Sequence, residues 1–155
     1  MTIARPEQFY GTWKLVSMQA VLGERVREPY GKTPLGYITY TPDGTMHAIL
    51  MHSKRPAVVT PVEEFGRRRG WRRLLFALRK LPALARHSAA MMQGAAYSAR
   101  WQIRGNEVVH HVTASMLPDW IGTDLLRTYE FGDGTLTLTA HYPRGRTLAL
   151  VWQKV

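Results

Sequence analysis

Over most of the chain, hydrophobic and polar positions alternate in short runs broken by turn residues, the period of a strand with one buried face. A β-rich run covers residues 13–21, after Gly11-Thr12. Residues 35–41 and 45–51 flank Pro42-Asp43-Gly44. Residues 97–104 and 107–115 flank Gly105-Asn106, and residues 125–131 and 135–142 flank Asp133-Gly134. Asn or Asp beside Gly accepts the positive φ that tight hairpins demand, so each of these breaks reads as a hairpin. Residues 147–155 close the chain after Arg144-Gly145, and a short strand is expected near 25–28. The pattern predicts a mainly β fold: a closed antiparallel up-and-down barrel of about eight or nine strands, since closing a meander removes its exposed edges.

Residues 61–94 break the alternation. Trp71, Leu74, Leu75, Leu78 and Leu81 recur at helical spacing and share one face, with Arg72, Arg73, Arg79 and Lys80 elsewhere on the wheel. Pro82 ends or kinks this helix, and a second helical piece is expected over 83–93. No internal repeat and no domain boundary interrupts the chain. Residues 1–155 therefore read as one domain with a helical insertion, about 61–94, acting as a lid.

Loop length fixes which strand positions face one another. A two-residue loop at Gly105-Asn106 sets Ile103 opposite Val108, Trp101 opposite His110 and Ala99 opposite Val112. That face is apolar except for His110, while Arg100, Gln102, His111 and Thr113 take the solvent face. The same reasoning at Asp133-Gly134 pairs Phe131 with Leu136, Tyr129 with Leu138, Arg127 with Ala140 and Leu125 with Tyr142. Parity thus places His110 and Arg127 inside. The last hairpin requires a three-residue loop, with Gly145 at positive φ, to turn Leu148, Leu150 and Trp152 inward. The hairpin at Asp43-Gly44 leaves its inward face open, with Tyr40 and His47 on one side and Met46, Ala48 and Leu50 on the other.

Composition changes this picture little and charge changes it locally. With 45% hydrophobic residues among 155, the chain can bury a real core. It has no cysteine, which excludes disulfides and thiolate metal sites. It shows no apolar run of signal-peptide length and none near the roughly 20 residues of a membrane span, so a cytoplasmic protein is expected. The net charge of +10 raises nucleic acid, an anionic membrane surface or an acidic ligand as partners. Arg67, Arg68, Arg69, Arg72, Arg73, Arg79, Lys80 and Arg86 carry most of it. The basic helix 67–86 is thus a solvated face or a candidate for membrane-surface contact, with Phe76 on its polar side. No nucleic acid partner is expected, because the strands show no exposed basic-aromatic interleaving.

Several blocks resemble a known family. Gly11-Thr12-Trp13 resembles the opening of lipocalins and their relatives. The run from Gly36 to Gly44 resembles the second block of the small bacterial and fungal lipocalin-like domain family. Val109-His110-His111-Val112, then the run from Pro118 to Asp124 with Arg127, resemble its third block, and the run from Leu150 to Val155 its closing strand. The resemblance implies a calycin-type barrel. It does not fix a function, because such barrels serve as carriers, haem binders, cyclases or isomerases. The basic run is longer and richer in arginine than the family pattern.

The candidate chemistry lies on the predicted inner surface. Arg127 cannot shed its charge and needs an anionic partner: a ligand, or Asp124, Glu28 or Asp119. His110 can move a proton or accept a hydrogen bond, although a lone inward His is more often a satisfied core residue. Trp101, Tyr129, Tyr97 and Tyr142 suit a flat apolar ligand or simply fill the barrel, and Tyr40, His47 and Trp120 are weaker candidates. Trp13 is expected to plug one end beneath Lys154, through packing and a cation–π contact. The six histidines show no metal-ligand spacing. Haem on His110 would need a larger cavity than these aromatics leave, so no metal and no cofactor are expected. Three functions remain: an enzyme that cyclises or isomerises a polyketide-like or terpenoid-like intermediate, with His110 and Arg127 catalytic; a carrier for a small hydrophobic acid; and an interaction module using the basic helix.

Overall fold

The computed structural model describes residues 3–55, 88 and 90–155. Two compact units divide the chain: Met1–Ser53 with Ala95–Val155, and Lys54–Gly94. In the second unit, residues 88 and 90–92 are helical. The helix expected around Trp71–Leu81 and the basic run 67–86 lie outside the described residues, and with them the lid and the membrane contact.

Nine strands form the first unit and its entry: β1 (Gly11–Leu22), β2 (Arg25–Arg27), β3 (Leu35–Tyr40), β4 (Thr45–Met51), β5 (Gly94–Arg104), β6 (Glu107–Ser115), β7 (Asp124–Phe131), β8 (Thr135–His141) and β9 (Thr147–Lys154). They follow one another in the order β2-β1-β3-β4-β5-β6-β7-β8-β9, and β1 pairs back onto β9. That pairing closes an antiparallel ring of eight strands, with β2 as an extra strand on the far end of β1. Closure leaves no long unpaired edge, the reason a meander of this length prefers a barrel.

The registers at Gly105-Asn106 and Asp133-Gly134 match the loop argument: Trp101 opposes His110, and Tyr129 opposes Leu138. At the last hairpin, Tyr142 N donates to Arg146 O at 2.8 Å and Gly145 takes φ 73°. Leu150 and Trp152 are consequently buried.

The β3–β4 hairpin resolves the open face and shifts its register by one residue. Tyr40 opposes Met46, not His47. Three residues turn the chain here, closed by Thr41 N donating to Thr45 O at 3.0 Å, with Gly44 at φ 81°. The Asp43 carboxylate accepts from Thr41 Oγ1, from Thr45 Oγ1 at 2.7 Å and from Thr45 N at 3.1 Å. The Thr41 bond leads these in lowering the Asp43 pKa to about 2. The result puts Tyr40, Met46, Ala48 and Leu50 inside and His47 outside. Strand β1 also changes parity, at a bulge between Leu15 and Ser17, so that Leu15 and Met18 both face inward while Val16 is exposed.

One end of the barrel is plugged by rings. The turn Pro6–Gln8 delivers Phe9 into it, edge-on to Tyr40 at 5.3 Å, Tyr129 at 5.2 Å and Phe131 at 4.9 Å. Trp13 donates from Nε1 to Phe9 O at 2.8 Å. The Lys154 ammonium lies 4.5 Å from the Trp13 ring centroid, the expected stack. Offset and edge-on ring packing of this kind adds about 0.5–1.5 kcal/mol per pair to simple burial. This plug is the floor on which the site rests.

Candidate functional site

Beyond the floor the barrel holds a cavity of about 170 Å³. Its walls are mostly apolar, from Met18, Ile38, Leu50, Leu138 and Leu150, with Trp152 among them. Tyr30, Leu117, Trp120 and Tyr142 come to it from loops and loop edges. The polar groups on the wall are Tyr97, His110, Arg127 and the phenols of Tyr30 and Tyr142.

His110 is fully buried at mid-strand on β6. Its Nε2 lies 2.9 Å from the Tyr40 hydroxyl and its Nδ1 lies 3.0 Å from the Tyr97 hydroxyl. Burial, then the nearby Arg127 charge, then His111, drive its pKa from 6.5 down to about 3. Burial pushes Tyr97 up to about 12, against the opposing pull of Arg127, and raises Tyr40 well above its ordinary value. All three groups are therefore neutral at physiological pH. An imidazole hydrogen-bonded at both nitrogens is the arrangement of a satisfied core histidine, the commoner outcome for a lone inward His.

Arg127 sits on β7 opposite Val108 and lines the cavity. Its Nη1 donates to Leu126 O at 2.7 Å. Among the described residues no carboxylate pairs with it. Asp124 does not reach it: three residues apart on one strand, the two side chains take opposite faces. Asp124 instead meets His111 Nδ1 at 2.5 Å on the outer wall. Neither the ion pair with Asp124 nor a place for Asp124 in the cavity holds.

The other predicted residues divide between cavity and floor. Tyr97, Tyr142 and Trp120 line the cavity; Trp120 is edge-on to Tyr97 at 5.6 Å, and the Arg146 guanidinium lies 4.4 Å from the Tyr142 ring centroid. Trp101 belongs to the floor, 5.4 Å from Phe9 and 5.0 Å from Tyr40. Tyr129 belongs there too, donating to Gly105 O at 2.9 Å and accepting from Ala4 N at 3.0 Å. Tyr40 reaches the cavity only through His110. His47 is exposed, its Nδ1 2.9 Å from Ser98 Oγ beside a wider, shallow depression on the outer wall.

Two features escaped sequence reasoning. Tyr30 lies in a loop, where no periodicity marks an inward residue. Trp152 was legible as an inward residue, but its indole Nε1 is buried without a partner among the described residues, and no pattern in the sequence shows that a buried donor lacks an acceptor. Among the described residues, no three His, Asp or Glu side chains come together as a metal site, and no helix is long and apolar enough to cross a membrane.

The sequence model of the lipocalin-like domain matches residues 10–155. No curated protein matches the chain. Among solved structures, a redesigned beta barrel is similar at 8% identity and a TM-score of 0.41, over 97% of this chain and 94% of that one. The wild-type fluorescent protein UnaG is similar at 12% identity and a TM-score of 0.42, over 97% of this chain and 100% of that one.

Proposed function

Starting from the chain's membership of the lipocalin-like domain family, we propose that the barrel binds a small, largely apolar molecule carrying an anionic end, with Arg127 as its counter-ion. The observation that carries this reading is a guanidinium on the wall of an apolar cavity with no carboxylate partner among the described residues. A guanidinium cannot shed its charge, and partly buried on an apolar wall it is best met by an anionic group. Size narrows the ligand. A dry cavity of roughly 150 Å³ takes a benzene-sized molecule, so about 170 Å³ suits one ring or a short chain.

Benzoate is a fitting probe, with toluene as its apolar counterpart. Charge-assisted hydrogen bonds contribute about 1.5–3 kcal/mol, so Arg127→Leu is expected to weaken benzoate binding by roughly 10- to 100-fold while leaving toluene nearly unchanged. Calorimetric titration measures both. Equal benzoate affinity in the variant would sink the counter-ion role.

Cyclisation or isomerisation of a polyketide-like or terpenoid-like intermediate is the second reading. It is favoured by one observation, the hydrogen-bonded chain from Tyr40 through His110 to Tyr97, which fixes a hydroxyl on the cavity wall. In that reading Tyr97 and Arg127 both donate to the oxygen on which negative charge develops, while water takes the proton from the carbon beside the carbonyl and returns one at the far end of the double bond. Turnover decides it: a β,γ-unsaturated ketone converted to its conjugated isomer above the uncatalysed rate assigns the enzyme, and no conversion leaves the binding protein.

A further inference from the structure

Building on the binding reading, we infer that Tyr40, which does not line the cavity, sets the ligand chemistry of the cavity by holding His110 in its Nδ1–H tautomer, so that the Tyr97 hydroxyl becomes a donor available to the ligand.

The argument is one of proton counting. A neutral imidazole has one N–H and one lone pair. Each nitrogen of His110 lies at hydrogen-bond distance from one phenol oxygen. Either Tyr40 donates to Nε2 and Nδ1–H donates to Tyr97, or the whole chain runs the other way. Tyr40 decides between them. It is 1% exposed and its surroundings are rings, with Phe9 at 5.3 Å and Trp101 at 5.0 Å. Among the described residues its hydroxyl meets no hydrogen-bonding atom except His110 Nε2. In the reversed chain the Tyr40 proton would be buried with no acceptor, the more expensive way to lose a hydrogen bond. The proton therefore goes to Nε2, and His110 carries its own on Nδ1.

The consequence falls on Tyr97. Its oxygen accepts from Nδ1–H, so its own proton is free. No acceptor for it exists among the described residues, and Tyr97 is part of the cavity wall. Arg127 supplies a second donor on the same wall. These two donors select a molecule rich in acceptor oxygens over an amine or a hydrocarbon of the same shape. Tyr97 is the specificity-determining contact, and Tyr40 is a positioning residue acting on it through His110.

Two measurements test this separately from the binding reading. The first needs no ligand: long-range proton–nitrogen spectra of the labelled protein at pH 7 report which His110 nitrogen is protonated. Nδ1–H is expected, and Nε2–H overturns the inference whether or not any ligand binds. In Tyr40→Phe the Nε2–H form becomes populated; an unchanged tautomer there overturns the role of Tyr40. The second compares benzoate with toluene. Tyr97→Phe is expected to lose about tenfold or more in benzoate affinity, with toluene within about threefold. Full benzoate affinity in that variant removes Tyr97 as a donor to the ligand. If benzoate fails to bind the wild-type protein while His110 is Nδ1–H, the counter-ion reading fails and the proton arrangement stands.

Discussion

His110 is an imidazole fully buried in the barrel wall. The fold depresses its pKa from 6.5 to about 3, so the unfolded chain binds a proton in this interval that the folded chain refuses. Stability contributed by neutral His110 is then fully present above pH 6.5 and falls as pH drops toward 3, with a slope approaching about 1.4 kcal/mol per pH unit. Urea melts from pH 7 to pH 5 should show this loss, and His110→Gln should flatten it; parallel slopes for the two proteins would refute it. Strand parity alone was enough to place His110 and Arg127 inside. It could not reveal that His110 is saturated by two tyrosines. One of them, Tyr40, stands 70 positions away in sequence, and its inward direction depends on a turn whose type the sequence left open.

At the scale of elements, turns decided what alternation could not. The β3–β4 hairpin uses three residues because the Asp43 carboxylate gathers Thr41 and Thr45 around it, and that single extra residue separates Tyr40, which faces the core, from His47, which faces out. The two strands then pack closely at Gly36. A Cβ there would lie 2.7 Å from Ile49 O and 3.1 Å from Leu50 Cα, both backbone atoms that cannot swing aside. Gly36→Ala is expected to destabilise the barrel by about 1–3 kcal/mol, read as a lower urea midpoint with an unchanged slope. A wild-type midpoint would mean that β3 and β4 have room to separate. The β1 bulge belongs to the same class: Leu15 and Met18 both face inward only because one residue between them is unpaired, a local irregularity that no hydrophobic period encodes.

For the molecule as a whole, β1 pairing with β9 joins the first strand to the last, so the cavity wall is continuous and ligand binding should stabilise the barrel as a unit. At 100 times its dissociation constant a ligand adds about 2.7 kcal/mol, and each kcal/mol moves the melting temperature of a domain of this size by roughly 2–4 °C. Benzoate at that concentration should raise Tm by about 5–10 °C, and Arg127→Leu at the same concentration by clearly less. An equal rise in both proteins, followed by scanning calorimetry, would place the binding outside this cavity.

The amino-acid sequence by itself determined the barrel, most of its registers, and the two charged or titratable residues turned toward its interior. Alternation, Gly-containing turns and loop length are local, and a period of two leaves only two faces to choose between. The tertiary structure alone decided which aromatics became floor and which became wall, that Asp124 pairs outward with His111, and that the Trp152 indole is buried without an acceptor among the described residues. These outcomes depend on neighbours brought together from distant strands, and on whether a partner exists for each buried proton, which no single segment of the chain contains.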